Sequence, residues 1–150
     1  MFCSYKKARI KTAKQNMDLQ METYKHKSAL LIDDSYIDNL INQKILQSNN
    51  YAENIKVIDF PKMAIQFVRE SLISGENTPD VIFLDLRMPE MNGFEFLKAL
   101  EGIPELKPNQ IKIYILSSSL DPSDLKKIKA NKLVAKFIGK PLTRQVLCDI

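Results

Sequence analysis

Asp33-Asp34, Asp85, Ser117-Ser118-Ser119 and Lys140 are the residues of this sequence whose chemistry stands out. Three carboxylates within a few ångströms of one another repel strongly unless a cation sits among them. An all-oxygen set with neither His nor Cys suits a hard ion, and Mg²⁺ fits best. Mg²⁺ takes one or two carboxylates, keeps waters and completes its octahedron with phosphate oxygens. Lys140 and Ser117 could then bind the outer oxygens of a phosphoryl group. Asp85 is the natural nucleophile, because carboxylates form acyl phosphates with phosphorus.

These residues matter together only if the fold converges them. Taken singly, each has an ordinary explanation. An Asp pair after a strand is commonly a helix N-cap, and Asp34 is expected to cap its helix as well as bind metal. Lys140 alone reads as a surface lysine, Phe137 alone as core, and Met88-Pro89 as a loop. The order of elements supplies the convergence. "ALLID", "IKVIDF", "DVIFLDL", "IKIYILSSS" and "AKFIG" are short apolar runs that read as strands. Between them lie helical patterns. "YIDNLINQKILQSNN" carries Ile37, Leu40, Ile41 and Ile45 at helical spacing. Pro61 opens a second helix that keeps Ala64, Ile65, Val68 and Leu72 on one face and stops at Gly75. A third helix sets Phe94, Leu97 and Leu100 on one side. The fourth starts with Asp121 as N-cap and Pro122 in its first position. "LTRQVLCDI" closes the chain as a short helix. Alternation of this kind predicts an α/β fold, a doubly wound five-stranded parallel sheet with helices on both faces. In a flavodoxin-like order 2-1-3-4-5, the carboxyl ends of strands one and three meet at the switch point where ligands bind. Asp33, Asp34 and Asp85 end those two strands, and Ser117 and Lys140 end strands four and five.

Bulk properties narrow the field further. A chain of 150 residues with 45% apolar and 27% charged residues is sized for one globular domain. The net charge of +4 is not spread evenly: residues 1–27 hold seven cations against two anions, leaving −1 for residues 28–150. Residues 1–27 are therefore expected to be a basic, flexible extension and residues 28–150 the domain. A domain without net positive charge gives no support to direct nucleic-acid binding. No apolar run approaches the roughly 20 residues of a membrane helix, and no secretory signal opens the chain, so membrane insertion is not expected. Cys3 and Cys148 fit no metal or redox spacing and are expected to be free thiols in a cytoplasmic protein.

The quoted stretches "LLIDDS", "IFLDLRMPEMNG", "YILSSS" and "KFIGKPL" together resemble the receiver domains of two-component response regulators. The resemblance covers about residues 28–150. It implies that Asp85 is the phosphoacceptor. It also implies that Asp34 and Asp85 ligate Mg²⁺ directly, Asp33 acts mainly through water, and the backbone carbonyl of Arg87 is a further ligand. Ser117 would bind the phosphoryl group and respond to it, and Phe137 would be the aromatic switch. The bond before Pro141 is usually cis in this family. Asn92 and Ser117 stand where the family often has Asp and Thr, and Phe137 lacks the hydroxyl of the Tyr frequent there.

On this resemblance the chain is expected to be a stand-alone, chemotaxis-type receiver rather than an enzyme. It would take a phosphoryl group from a histidine kinase or phosphotransfer protein and signal by phosphorylation-dependent contact with a downstream protein. A receiver-like binding module that works without phosphorylation is the alternative, although such modules usually lose a carboxylate or the lysine. A haloacid-dehalogenase-type phosphohydrolase fits less well, since it wants a second Asp where Arg87 stands.

Overall fold

The apolar runs become strands because their β-branched and aromatic residues pack on both faces of a pleated surface. The computed structural model describes residues 23–119 and 121–150. The chain runs β1 (His26–Ile32), α1 (Tyr36–Ser48), β2 (Ala52–Ile58), α2 (Pro61–Ser74), β3 (Val81–Asp85), α3 (Gly93–Glu101), β4 (Lys112–Ser117), α4 (Pro122–Ala130), β5 (Val134–Gly139) and α5 (Arg144–Cys148). The strands pair in parallel in the order β2-β1-β3-β4-β5, as the alternation predicts. Residues 1–22, most of the expected basic extension, lie outside the described residues. β1 begins at His26, two residues before the boundary expected at 28.

Strand alternation divides the core in two. Leu30, Ile32, Ile82, Leu84, Ile113 and Ile115 point toward α2, α3 and α4, where they meet Val68, Phe96, Leu97 and Ile128. Ala29, Leu31, Val81, Phe83, Tyr114 and Leu116 point to the other face, with Leu46 of α1 and Leu147 of α5. All five residues of β3 are buried, as expected of a central parallel strand.

The helix signals worked unevenly. α2 starts with Pro61 in its first turn and ends on Gly75 at φ 73°, a left-handed cap that glycine adopts without strain. Asp121 caps α4 by accepting from the Ser123 amide. Asn92 and Glu95 form a reciprocal capping box on α3. The helix α1 departs from expectation twice. Its N-cap is Ser35, not Asp34. Its core-facing residues are Asn39, Asn42 and Leu46, whereas Ile37 and Ile41 are 65% and 43% exposed. Of the expected stripe, Ile37, Leu40 and Ile41 face outward and Ile45 packs against the core, while Asn39 turns inward and its side-chain amide donates to the Asp33 carbonyl at 2.7 Å.

Cys148 is disulfide-bonded rather than a free thiol, and no free cysteine remains among the described residues. Sequence spacing could not reveal this, because α5 returns the chain to the edge where β1 enters. There the Lys25 ammonium donates to the Ile150 backbone carbonyl. Cys3 lies outside the described residues, and the cysteines give no support to a reducing compartment. Among the described residues no helix is long and apolar enough to cross a membrane.

The setting of α1 predicts an inverted mutational pattern. Asn39→Ala should destabilise the protein by about 1–2 kcal/mol, because the buried Asp33 carbonyl loses its donor. Ile41→Ser should change stability by less than about 0.5 kcal/mol, as an exposed substitution does. Urea unfolding of the two variants checks both, and a larger loss for Ile41→Ser would show α1 to be rotated.

Candidate functional site

Register brings the strand ends level. Ile32 lies opposite Leu84, Asp85 opposite Leu116, and Ser117 opposite Gly139. The residues that follow these positions open onto one edge of the sheet. Alternation then sorts the site by face. Asp33 and Asp85 share the parity of Leu31 and Phe83, the face of α1 and α5. Ser117 and Phe137 share the parity of Ile115, the face of α2, α3 and α4.

One carboxylate oxygen from each of Asp33, Asp34 and Asp85 lies within 4.8 Å of the others. Asp33 and Asp85 are buried and Asp34 is exposed. Asp33 Oδ1 accepts from the Ser35 amide at 2.9 Å, closing the turn that starts α1. Asp85 Oδ2 accepts from the Arg87 amide at 3.1 Å, which fixes the carboxylate at the top of β3. The β3–α3 loop is tucked down by buried Leu86 and Met88 and by the Gly93 amide donating to the Leu86 carbonyl at 3.0 Å. A Cβ on Gly93 would stand 2.9 Å from the Asp85 carbonyl oxygen, so only glycine lets α3 start this close to the acceptor strand.

Lys140 closes the site from β5. Its Nζ lies 2.6 Å from Asp33 Oδ2, 2.8 Å from Asp38 Oδ2 and 3.2 Å from Asp85 Oδ1. The bond between Lys140 and Pro141 is cis. Burial works against the Lys140 ammonium, but hydrogen bonds to Asp33 and Asp38 and the charges of Asp85 and Asp33 outweigh it. The net pKa is upward, so the lysine stays charged. Burial pushes the Asp85 carboxyl up to about 6, and the Asp33 charge adds to the rise; Lys140 opposes it only in part. Excess negative charge with oxygen ligands alone is the donor set that fits a hard divalent cation such as Mg²⁺.

The remaining expected residues are engaged elsewhere. The Ser117 hydroxyl is buried and bonds to its own loop, donating to the Ser119 carbonyl at 3.3 Å and accepting from the Ser119 amide at 3.2 Å. Phe137 is half-buried against the core under α2, α3 and α4. The Arg87 side chain forms an ion pair with Asp124 in the first turn of α4.

Sequence reasoning missed Asp38 and the Arg87–Asp124 pair. Asp38 sits five residues after Asp33, one turn into α1, a spacing that returns its carboxylate to the strand end. That spacing was the available signal. No comparable signal links Arg87 to Asp124, which is 37 residues away in the chain.

The family model for the response regulator receiver domain matches residues 29–150. The two-component response regulator ORR1 of Oryza sativa subsp. japonica is 36% identical over 115 residues, covering 75% of this chain and 48% of the rice protein. The chain thus spans about half the length of that relative. A two-component response regulator from Cytophaga hutchinsonii superposes with a TM-score of 0.76 at 33% identity, covering 82% of this chain and 92% of that one. A response regulator receiver protein from Dyadobacter fermentans gives a TM-score of 0.71 at 29% identity, covering 82% and 93%.

The raised Asp85 pKa has a stability consequence. Folding disfavours the ionised form, so the penalty is absent below the ordinary value of 3.8 and fully present above about 6. In the presence of a chelator, Asp85→Asn should therefore stabilise the protein by about 2 kcal/mol near neutral pH. That gain should shrink as pH falls from about 6 toward 4. Thermal melts across this range check it, and a gain that grew on acidification would contradict the burial argument.

Proposed function

The chain belongs to the response regulator receiver domain family, and from that premise we propose that it accepts a phosphoryl group on Asp85 and signals by phosphorylation-dependent contact with another protein. The observation that carries this reading is the buried Asp85 carboxylate at the sheet edge, 3.2 Å from the Lys140 ammonium and beside two further carboxylates. Receiver domains work with histidine kinases or phosphotransfer proteins, and such a protein is the proposed donor. Residues 28–150 are the proposed receiver domain, residues 1–27 a basic extension, and the cytoplasm the proposed location.

In the transfer, one Asp85 carboxylate oxygen attacks phosphorus in line with the donor's P–N bond. The new O–P bond forms as P–N breaks, and the electron pair returns to the donor imidazole nitrogen. The Arg87 amide holds the carboxylate oriented for this attack, and Lys140 faces the charge on the transferred oxygens. Asp33, Asp34, Asp85 and the Arg87 backbone carbonyl would hold Mg²⁺, which when bound neutralises the charge shared by the carboxylates and the phosphoryl group. Ser117 would leave Ser119 to bind a phosphoryl oxygen, and Phe137, on the same face of the sheet, would shift inward with it.

A phosphohydrolase reading finds no support at Arg87, where an acid would be needed and where the guanidinium is engaged by Asp124. A module that dispenses with phosphorylation would need none of the four groups that this chain retains together.

An acyl-phosphate donor with Mg²⁺ should add one phosphoryl group, read by intact mass spectrometry. Chelating the Mg²⁺ should abolish the added mass, and Asp85→Asn should show none. A parent chain that stays unmodified would overturn the acceptor reading. Lys140→Ala should still be phosphorylated but should bind its partner equally well before and after, since the cation that reads the phosphoryl group is gone.

A further inference from the structure

Lys140 has three ammonium protons, and three carboxylates surround it. The shares are unequal: Asp33 and Asp38 stand at 2.6 and 2.8 Å, and the acceptor Asp85 at 3.2 Å. Asp38 differs from the other two. It is not among the three acids whose oxygens cluster within 4.8 Å. It lies in the first turn of α1 with its side chain 38% exposed, against 4% for Asp33 and 6% for Asp85. The helix cap uses its backbone N–H, which donates to Ser35 Oγ, and not its carboxylate.

A phosphoryl group arriving on Asp85 needs one of the three ammonium protons. Asp33 is too deeply buried to be left with an unpaired charge at low cost. Asp38 is exposed enough for water to replace the lysine, so its contact is the one that can be surrendered.

We infer that Asp38 is a positioning residue: it holds the Lys140 ammonium toward α1 and competes with the phosphoryl group on Asp85 for it. This rests on the reading of Asp85 as acceptor. Asp38 thereby slows the gain of a phosphoryl group and keeps the unmodified site in a paired resting arrangement. The acid acts through Lys140 and touches no transferred atom.

The test uses the full chain, acetyl phosphate and Mg²⁺, with the rate of phosphoryl addition followed by intact mass. Asp38→Asn should raise that rate about threefold, on the scale of one partly exposed ion pair. Asp38→Glu should restore the parent rate. In a Lys140→Gln background, Asp38→Asn should leave the rate unchanged, because the competition has lost its object. Thermal midpoints of all variants separate any loss of the first-turn helix charge from these rates. A parent that never gains a phosphoryl group would overturn the acceptor reading and this inference with it. A parent that does, while Asp38→Asn is unchanged or slower, would overturn the inference alone. An equal increase with and without Lys140 would also overturn it, leaving simple charge repulsion as the cause.

Discussion

The crowding of negative charge at the carboxyl edge of the sheet governs this structure. Asp33, Asp34, Asp38 and Asp85 gather where one ammonium, Lys140, answers them. Among the described residues one cation answers four acids, and burial first, with the Asp33 charge adding to it, holds the Asp85 carboxyl above its ordinary value. The surrounding elements are arranged to tolerate it. Backbone amides of Ser35 and Arg87 hold Asp33 and Asp85, so each charge is oriented even though it is not neutralised. The second nearby cation, Arg87, is drawn to Asp124 on α4 and leaves the deficit in place. A site assembled this way is unfavourable by itself, and the buried core on both faces of the sheet offsets that cost.

Parity along the strands gives the site two halves. Asp33, Asp85 and Lys140 have the parity of the α1 and α5 side, while Ser117 and Phe137 have that of the α2, α3 and α4 side. Only the top of the sheet joins them. The loop after Asp85 also touches the α4 side directly, since Arg87, whose amide donates to the Asp85 carboxylate, pairs with Asp124 on α4. The Ser117 hydroxyl is bonded within its own loop, to the Ser119 carbonyl and amide.

Much of this could be read from the sequence because the informative residues are terminal. Strand ends in a parallel sheet converge by topology, so the gathering of Asp33, Asp34, Asp85 and Lys140 was legible in their order along the chain. What escaped detection depended on side-chain direction. Ile37, Leu40, Ile41 and Ile45 have the spacing of a core stripe, yet of these Ile45 packs against the core and the other three are exposed: periodicity gives a helix's faces and not which of them is turned inward. Asn39 decides that, through one bond to a backbone carbonyl. Asp38 and the Arg87–Asp124 pair were hidden for the same reason: an acid in a first helical turn is ordinarily accounted for by the helix itself. The bonding of Cys148 depended on where α5 returns the chain, which spacing does not encode.

Asn39 ties these observations together. Its amide holds the carbonyl of Asp33, whose carboxylate holds Lys140, and the same amide fixes the rotation of α1. That rotation delivers Asp38 to the ammonium from one side of the helix and turns Ile37 and Ile41 outward on another. The carboxylates that hold the lysine and the turn that starts α1 are thus joined through Asp33. A polar residue in a core position normally counts against stability. Here it stands at a core-facing position of α1, where an apolar replacement would leave the Asp33 carbonyl without its donor.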